Sequence, residues 1–307
     1  MPTSNAVEGQ VSFQVPGSTK PASTWYKIIG NLDTAPLIAL HGGPGAGHEY
    51  LTPLTDLYDK YKIPIVFYDQ MGCGRSTRFP EKNGDDSFWN FTLFLKELEN
   101  LVAHLKLHEL GFYLIGQSWG GMLGAAYACS QPEGLRKLIL ASAPSSIPLY
   151  AEGCRYLLSQ LPADVQKVIL ECEEKGDYES PEYEAACGVF YTKHLCRLDP
   201  FPEPLMASLG HLKEEPSAYV TMQGPSEFTI TGNFKDWEGW REAHKIDVPV
   251  LLLNGGHDEV RDACVEPWFR SIPKVRWVTF QTSAHMTHFE ERERFMELSH
   301  TFLKDSE

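Results

Sequence analysis

The stretch Gly111-Phe112-Tyr113-Leu114-Ile115-Gly116-Gln117-Ser118-Trp119-Gly120-Gly121 constrains this chain more than any other. A short apolar run gives way to G-x-S-x-G and then to Met122-Leu123-Gly124-Ala125-Ala126-Tyr127-Ala128. That order reads as a buried strand, a sharp turn and a small-residue helix. A serine hydroxyl on a flexible loop is a poor nucleophile. Held on such an elbow, over the N-terminus of the next helix, Ser118 becomes a candidate for covalent catalysis. Gly116 and Gly120 leave room where the strand packs against the helix. G-x-S-x-G also arises by chance, so its partners decide its meaning.

The flanking pattern is that of an α/β sheet. Segments 11–15 and 24–29 alternate apolar and polar residues around a Pro/Gly/Ser turn, as an antiparallel edge pair does. Continuous apolar runs at 35–40, 63–68, 112–115 and 248–253 suit strands buried on both faces, and 135–142 and 275–280 read as further strands of the same sheet. Apolar residues at helical spacing over 91–107 predict a helix leading into the strand before Ser118. From about residue 144 to 245 the strand pattern stops, and helical segments are predicted at 150–161, 163–175 and 183–197. The expected organisation is therefore a core of residues 1–143 and 246–307, interrupted by a helical cap at 144–245.

Two further residues follow strands of their own. Asp258 comes just after the run ending at Gly256, and His285 just after the run ending at Phe280. Both are thus expected on the same sheet edge as Ser118, in the order Ser, Asp, His. His285 would take the serine proton, and Asp258 would fix the imidazole tautomer and stabilise the imidazolium. Glu259 is the alternative orienter of His285. His257 reads as a loop or pocket residue and His288 as a packing or helix-cap residue. The backbone N–H groups of Trp119 and of Gly43, in His41-Gly42-Gly43-Pro44-Gly45, are the expected oxyanion donors. Asp69 and Arg75 read as residues that lock their loop. A Ser at position 118 excludes chemistry that needs an Asp nucleophile there.

The formal net charge of −14 argues against nucleic acid or an anionic membrane as partner. No stretch is apolar for long enough to span a bilayer, and no basic region followed by an apolar run marks a signal peptide. The seven cysteines are scattered and show no C-x-x-C spacing, so reduced thiols in a cytoplasmic protein are expected. No metal-ligand spacing is present, and no cofactor is expected.

Together, His41-Gly42-Gly43-Pro44-Gly45, Asp69-Gln70-Met71-Gly72-Cys73-Gly74-Arg75-Ser76 and Gly116-Gln117-Ser118-Trp119-Gly120-Gly121 resemble the α/β-hydrolase superfamily. With Gly224-Pro225-Ser226-Glu227-Phe228 and Ser283-Ala284-His285, the chain resembles more narrowly the proline iminopeptidases, with their related tricorn-interacting aminopeptidases and L-amino-acid amidases. The resemblance implies a mostly parallel eight-stranded sheet with an inserted helical cap. It also implies release of an unblocked N-terminal residue, proline or another apolar one, from short peptides or amino-acid amides through an acyl-enzyme. Glu227 matches the family's amine-binding glutamate, and a carboxylate there would hold an α-ammonium by a charge-assisted hydrogen bond. The family's second acid does not align; Glu203, Glu214 and Glu215 stay open as candidates. Met71 stands where many relatives carry arginine, which argues against strict proline specificity. Trp237, Trp240, Phe228 and Tyr219 line a pocket or pack the cap. An esterase or lactonase using the same triad is the alternative, and the oligomeric state is open.

Overall fold

The computed structural model describes residues 6–305; residues 1–5 and 306–307, the outer ends of the two core ranges, lie outside the described residues. Eight strands form one sheet: β1 (Ala6–Phe13), β2 (Ala22–Ile29), β3 (Leu37–Leu40), β4 (Ile65–Tyr68), β5 (Phe112–Gln117), β6 (Leu135–Ala141), β7 (Val250–Gly255) and β8 (Val275–Phe280). Their order is β1-β2-β4-β3-β5-β6-β7-β8. The β1–β2 and β2–β4 pairs are antiparallel. The pairs from β4–β3 across to β7–β8 are parallel, so their C-terminal ends share one edge.

Helix α1 (Thr55–Tyr61) lies between β3 and β4, and α2 (Phe91–His104) and the short α3 (Leu107–Leu110) precede β5. Helix α4 (Trp119–Ala128) follows β5 directly. Between β6 and β7 come five α-helices and no strand among the described residues: α5 (Ile147–Leu158), α6 (Ala163–Lys175), α7 (Pro181–His194), α8 (Glu203–Glu214) and α9 (Ser217–Met222). Helix α10 (Asp262–Ser271) joins β7 to β8, and α11 (Thr287–Glu290) and α12 (Arg292–Lys304) follow β8.

The unbroken apolar runs are explained by two-sided burial. Leu37 and Ala39 of β3 join one apolar cluster, while Ile38 and Leu40 join the other. Strand β4 repeats the split, with Ile65 and Phe67 against Val66 and Tyr68. Leu98 of α2, Ala125 of α4 and Val265 of α10 cover one face; Leu57 of α1 and Phe295 of α12 cover the other.

Helix boundaries depart from the sequence pattern for local reasons. Lys106 takes a left-handed conformation (φ 56) that ends α2 at His104 and restarts the chain as α3. Helix α5 starts at Ile147 because the Ser146 side chain accepts from Leu149 N at 3.3 Å. Helix α7 starts at Pro181 because Ser180 caps it in the same way, with proline at a first-turn position that needs no N–H donor. Each such cap contributes about 1 kcal/mol.

Candidate active site

The elbow is built by exclusion of side chains. A Cβ on Gly116 would stand 2.2 Å from Gly120 O, and one on Gly120 would stand 2.0 Å from Leu40 O. Only glycines let β5, α4 and the end of β3 approach so closely. Between them Ser118 takes φ 55, ψ −124, a conformation that is costly for a non-glycine residue. Its N–H donates to Ala141 O at 3.0 Å, which anchors the turn to β6. The Ser118 hydroxyl is half-buried and makes no hydrogen bond among the described residues.

Asp258 follows β7 and His285 follows β8, so the parallel strands deliver both to the edge where β5 delivers Ser118. Asp258 Oδ1 lies 2.8 Å from His285 Nδ1. A carboxylate only accepts, so Nδ1 carries the proton of this bond. Asp258 is itself held by Val260 N at 2.8 Å and Gly255 N at 3.2 Å. The His285 carbonyl accepts from Gln117 Nε2 and Ser142 Oγ, both at 3.3 Å, which ties the histidine loop to the elbow. Its N–H and that of Glu259 both donate to His194 O, at the end of α7, at 3.3 Å.

The glycine loop after β3 presses against Ser118: a Cβ on Gly42 would lie 3.2 Å from Ser118 Cβ. The N–H groups of Gly43 and Trp119 make no hydrogen bond among the described residues. Tyr50 holds the loop. Its hydroxyl accepts from Gly42 N at 2.7 Å and donates to Gln117 Oε1 at 2.7 Å. His41 accepts from Gln70 N through Nε2 at 2.9 Å, and burial pulls its pKa down to about 4, so it braces the loop as a neutral ring. Gln70 also reaches the Trp119 indole, which donates to its Oε1 at 2.8 Å. Asp69 and Arg75 lock their loop: Asp69 accepts from His48 N and Arg75 N, and Arg75 pairs with Glu8.

Above this edge two carboxylates come together. Glu227 accepts from Tyr191 and Tyr219 hydroxyls, each at 2.9 Å. Glu259 is buried; its Oε1 accepts from Tyr150 at 3.2 Å and lies 3.8 Å from His285 Nε2. Its Oε2 is buried with no hydrogen-bond partner among the described residues. Burial raises the Glu259 pKa, the His285 ring beside it works the other way, and repulsion from Glu227 and Asp258 adds to the rise. Burial also opposes charge on His285, but the Asp258 and Glu259 carboxylates outweigh it and raise its pKa.

Asp258 thus sits at Nδ1 of His285, the position of an orienting carboxylate, and Glu259 faces the opposite nitrogen. Glu203 is exposed, while Glu214 and Glu215 are engaged elsewhere, with Arg78 at 3.1 Å and with Ser217. His288 packs inside, donating from Nε2 to Tyr50 O at 2.9 Å. His257 is exposed, and its carbonyl meets the His194 ring. Phe228 stands edge-on to Phe190, and Trp237 stacks on Phe91. Tyr50, Tyr150 and Tyr191 carry no motif signal. The adjacency of Glu259 to Asp258 was the one available sign of its place.

Residues 35–292 match the family described as alpha/beta hydrolase fold. The chain is 38% identical over 267 residues to a proline iminopeptidase of Saccharolobus solfataricus, covering 87% of this chain and 84% of that protein. The crystal structure of VinJ is similar at a TM-score of 0.92 and 39% identity, over 97% of this chain and 98% of that one. The proline iminopeptidase of Mycobacterium smegmatis is similar at a TM-score of 0.85 and 34% identity, over 96% and 97%.

Proposed function

The chain belongs to the α/β-hydrolase family and, within it, to the proline iminopeptidases, and from that premise we propose how its residues release an unblocked N-terminal amino acid. It is an aminopeptidase of the serine-hydrolase type. Ser118 attacks the carbonyl of the first residue while His285 Nε2 takes its proton, with Asp258 holding the ring. The oxyanion forms against the N–H groups of Gly43 and Trp119, each worth about 3–4 kcal/mol to the transition state. His285 then protonates the departing amine, and water cleaves the acyl-enzyme by the same route in reverse.

The observation that carries this reading is the carboxylate pair on the Nε2 side of His285, Glu227 clamped by two tyrosines and Glu259 with an unpartnered oxygen. A buried and a half-buried acid, both with spare acceptor capacity, suit an α-ammonium, a cation with three donors. Glu259 thus fills the place of the second amine-binding acid. Substrates are short peptides or amino-acid amides, with proline or another apolar residue first. Residues 144–245 form the cap that carries Glu227 over the core. Seven unpaired cysteines support a cytoplasmic location. No described helix is long and apolar enough to cross a membrane.

The test is hydrolysis of aminoacyl arylamides, free and N-acetylated, beside a short-chain aryl ester. Turnover of free-amine substrates alone, abolished by Ser118→Ala and weakened by Glu227→Gln, is expected. Turnover of the ester with none of any arylamide would make the protein an esterase and return Glu227 to a structural role.

A further inference from the structure

Glu259 faces two ways. On one side its Oε1 stands 3.8 Å from His285 Nε2, the nitrogen that must accept the serine proton. On the other, the Glu227 carboxylate is among the charges acting most strongly on it, and Oε2 is buried without a partner. We propose that Glu259 makes the catalytic base conditional on the substrate: an α-ammonium bound at Glu227 and Glu259 replaces His285 as the counter-charge of Glu259 and frees Nε2 to act as a base. The inference rests on the amine-site reading above.

The His285 ring is surrounded by acids. Asp258 sits at Nδ1, Glu259 near Nε2, and Glu290 acts from α11. His288, on the same helix as Glu290, adds no cation, since burial pulls it down to about 4. Tyr150, the other titratable group against Glu259, remains a neutral donor, because burial raises it far above the ordinary phenol range. Among the strongest influences on Glu259 the one positive group is His285 itself. An imidazolium in this setting carries protons on both nitrogens, and Nε2 cannot take a third.

The step balances simply. The substrate ammonium pairs with Glu259 and Glu227, the Nε2–H bond breaks, and its proton leaves to water. The freed Nε2 lone pair then accepts the proton of Ser118 Oγ as the new C–O bond forms. A substrate with an acylated N-terminus brings no positive charge and leaves His285 protonated. Selection for a free amine is then exerted on the chemical step as well as on binding.

The experiment follows Ser118 sulfonylation by methanesulfonyl fluoride, which carries no amine, across the pH range. It uses the full chain with and without saturating pyrrolidinium chloride as the ammonium probe. Sulfonylation needs neutral His285, so its rate rises with pH through the His285 titration. Wild type should show a midpoint above the ordinary imidazole range. Pyrrolidinium should lower it by about one unit or more, the size of shift a single neighbouring charge produces. Labelling near neutral pH should then accelerate about tenfold at equal access. Glu259→Gln should start at the lower midpoint and no longer respond to pyrrolidinium. A wild-type midpoint that pyrrolidinium leaves unmoved, although it competes with arylamide hydrolysis, overturns the coupling and leaves the amine site standing. Pyrrolidinium that does not compete at all overturns the amine site and the coupling together. The wild-type arm needs no variant to fold, and it compares midpoints, which uniform steric slowing does not shift.

Discussion

Tyr50→Phe removes one oxygen from the point where the glycine loop, the elbow and the histidine loop are joined. The tyrosine is buried, and its hydroxyl both accepts from Gly42 N and donates to Gln117 Oε1, while Gln117 Nε2 reaches His285 O. Phenylalanine keeps the ring and leaves a buried N–H and a buried amide oxygen without partners, at about 1–3 kcal/mol each. A total loss of about 2–4 kcal/mol is expected, allowing for partial relaxation. At about 2.1 cal/mol/K per residue of unfolding entropy, that lowers Tm by about 3–6 °C for a chain of this length. The functional effect should exceed this in specificity. In the proposed mechanism Gly43 N–H, next along the loop, donates to the oxyanion in the transition state, so loosening Gly42 should lower kcat about tenfold or more and leave KM nearly unchanged. Scanning calorimetry and arylamide kinetics on the same preparation decide the matter. A lowered Tm with unchanged kcat would refute the link from Tyr50 to the oxyanion donor. An unchanged Tm would refute the hydrogen-bond accounting itself.

Five other substitutions test separate parts of the molecule. Gly120→Ala puts a Cβ 2.0 Å from Leu40 O, a backbone atom that cannot yield, and should cost more than about 3 kcal/mol. Gly210→Ala in α8 meets nothing within 4 Å and should instead gain about 0.8–1 kcal/mol from helix propensity; equal melting temperatures for the two variants would contradict this. Asp258→Asn can donate to the ring and so favours the wrong tautomer; kcat should fall about 10⁴-fold with the fold retained, and a loss under tenfold would deny Asp258 its role. Tyr191→Phe and Tyr219→Phe each remove an O–H donor from Glu227, a bond worth about 1.5–3 kcal/mol to a charged group. Each should reduce kcat/KM for free-amine arylamides about tenfold or more, and circular dichroism should show an unaltered fold; full activity in both would mean that Glu227 does not need the clamp.

What the sequence made legible follows from which signals are local. Strands β3 to β7 are readable as apolar runs because helices cover both faces of the sheet, and that pattern needs no knowledge of what the covering helices are. Ser118, Asp258 and His285 are readable because each follows a strand, and parallel strands bring their ends to one edge. The proposed amine site is different. Tyr150, Tyr191 and Tyr219 stand on α5, α7 and α9, and nothing in their spacing says that three helix surfaces converge on two carboxylates. Tyr50 is equally silent, since its partners are 8 and 67 residues away.

Glu259 lies between these cases, and its position explains why adjacency in sequence misleads about role. Asp258 and Glu259 are consecutive acids after the same strand, so either one suits the orienting position by sequence. The turn separates them: Asp258 Oδ1 accepts from Val260 N while it holds His285 Nδ1, which fixes its carboxylate beneath the ring. The next side chain is thereby sent to the opposite nitrogen, toward Tyr150 and Glu227. One backbone N–H thus divides two like residues between the two nitrogens of the same ring.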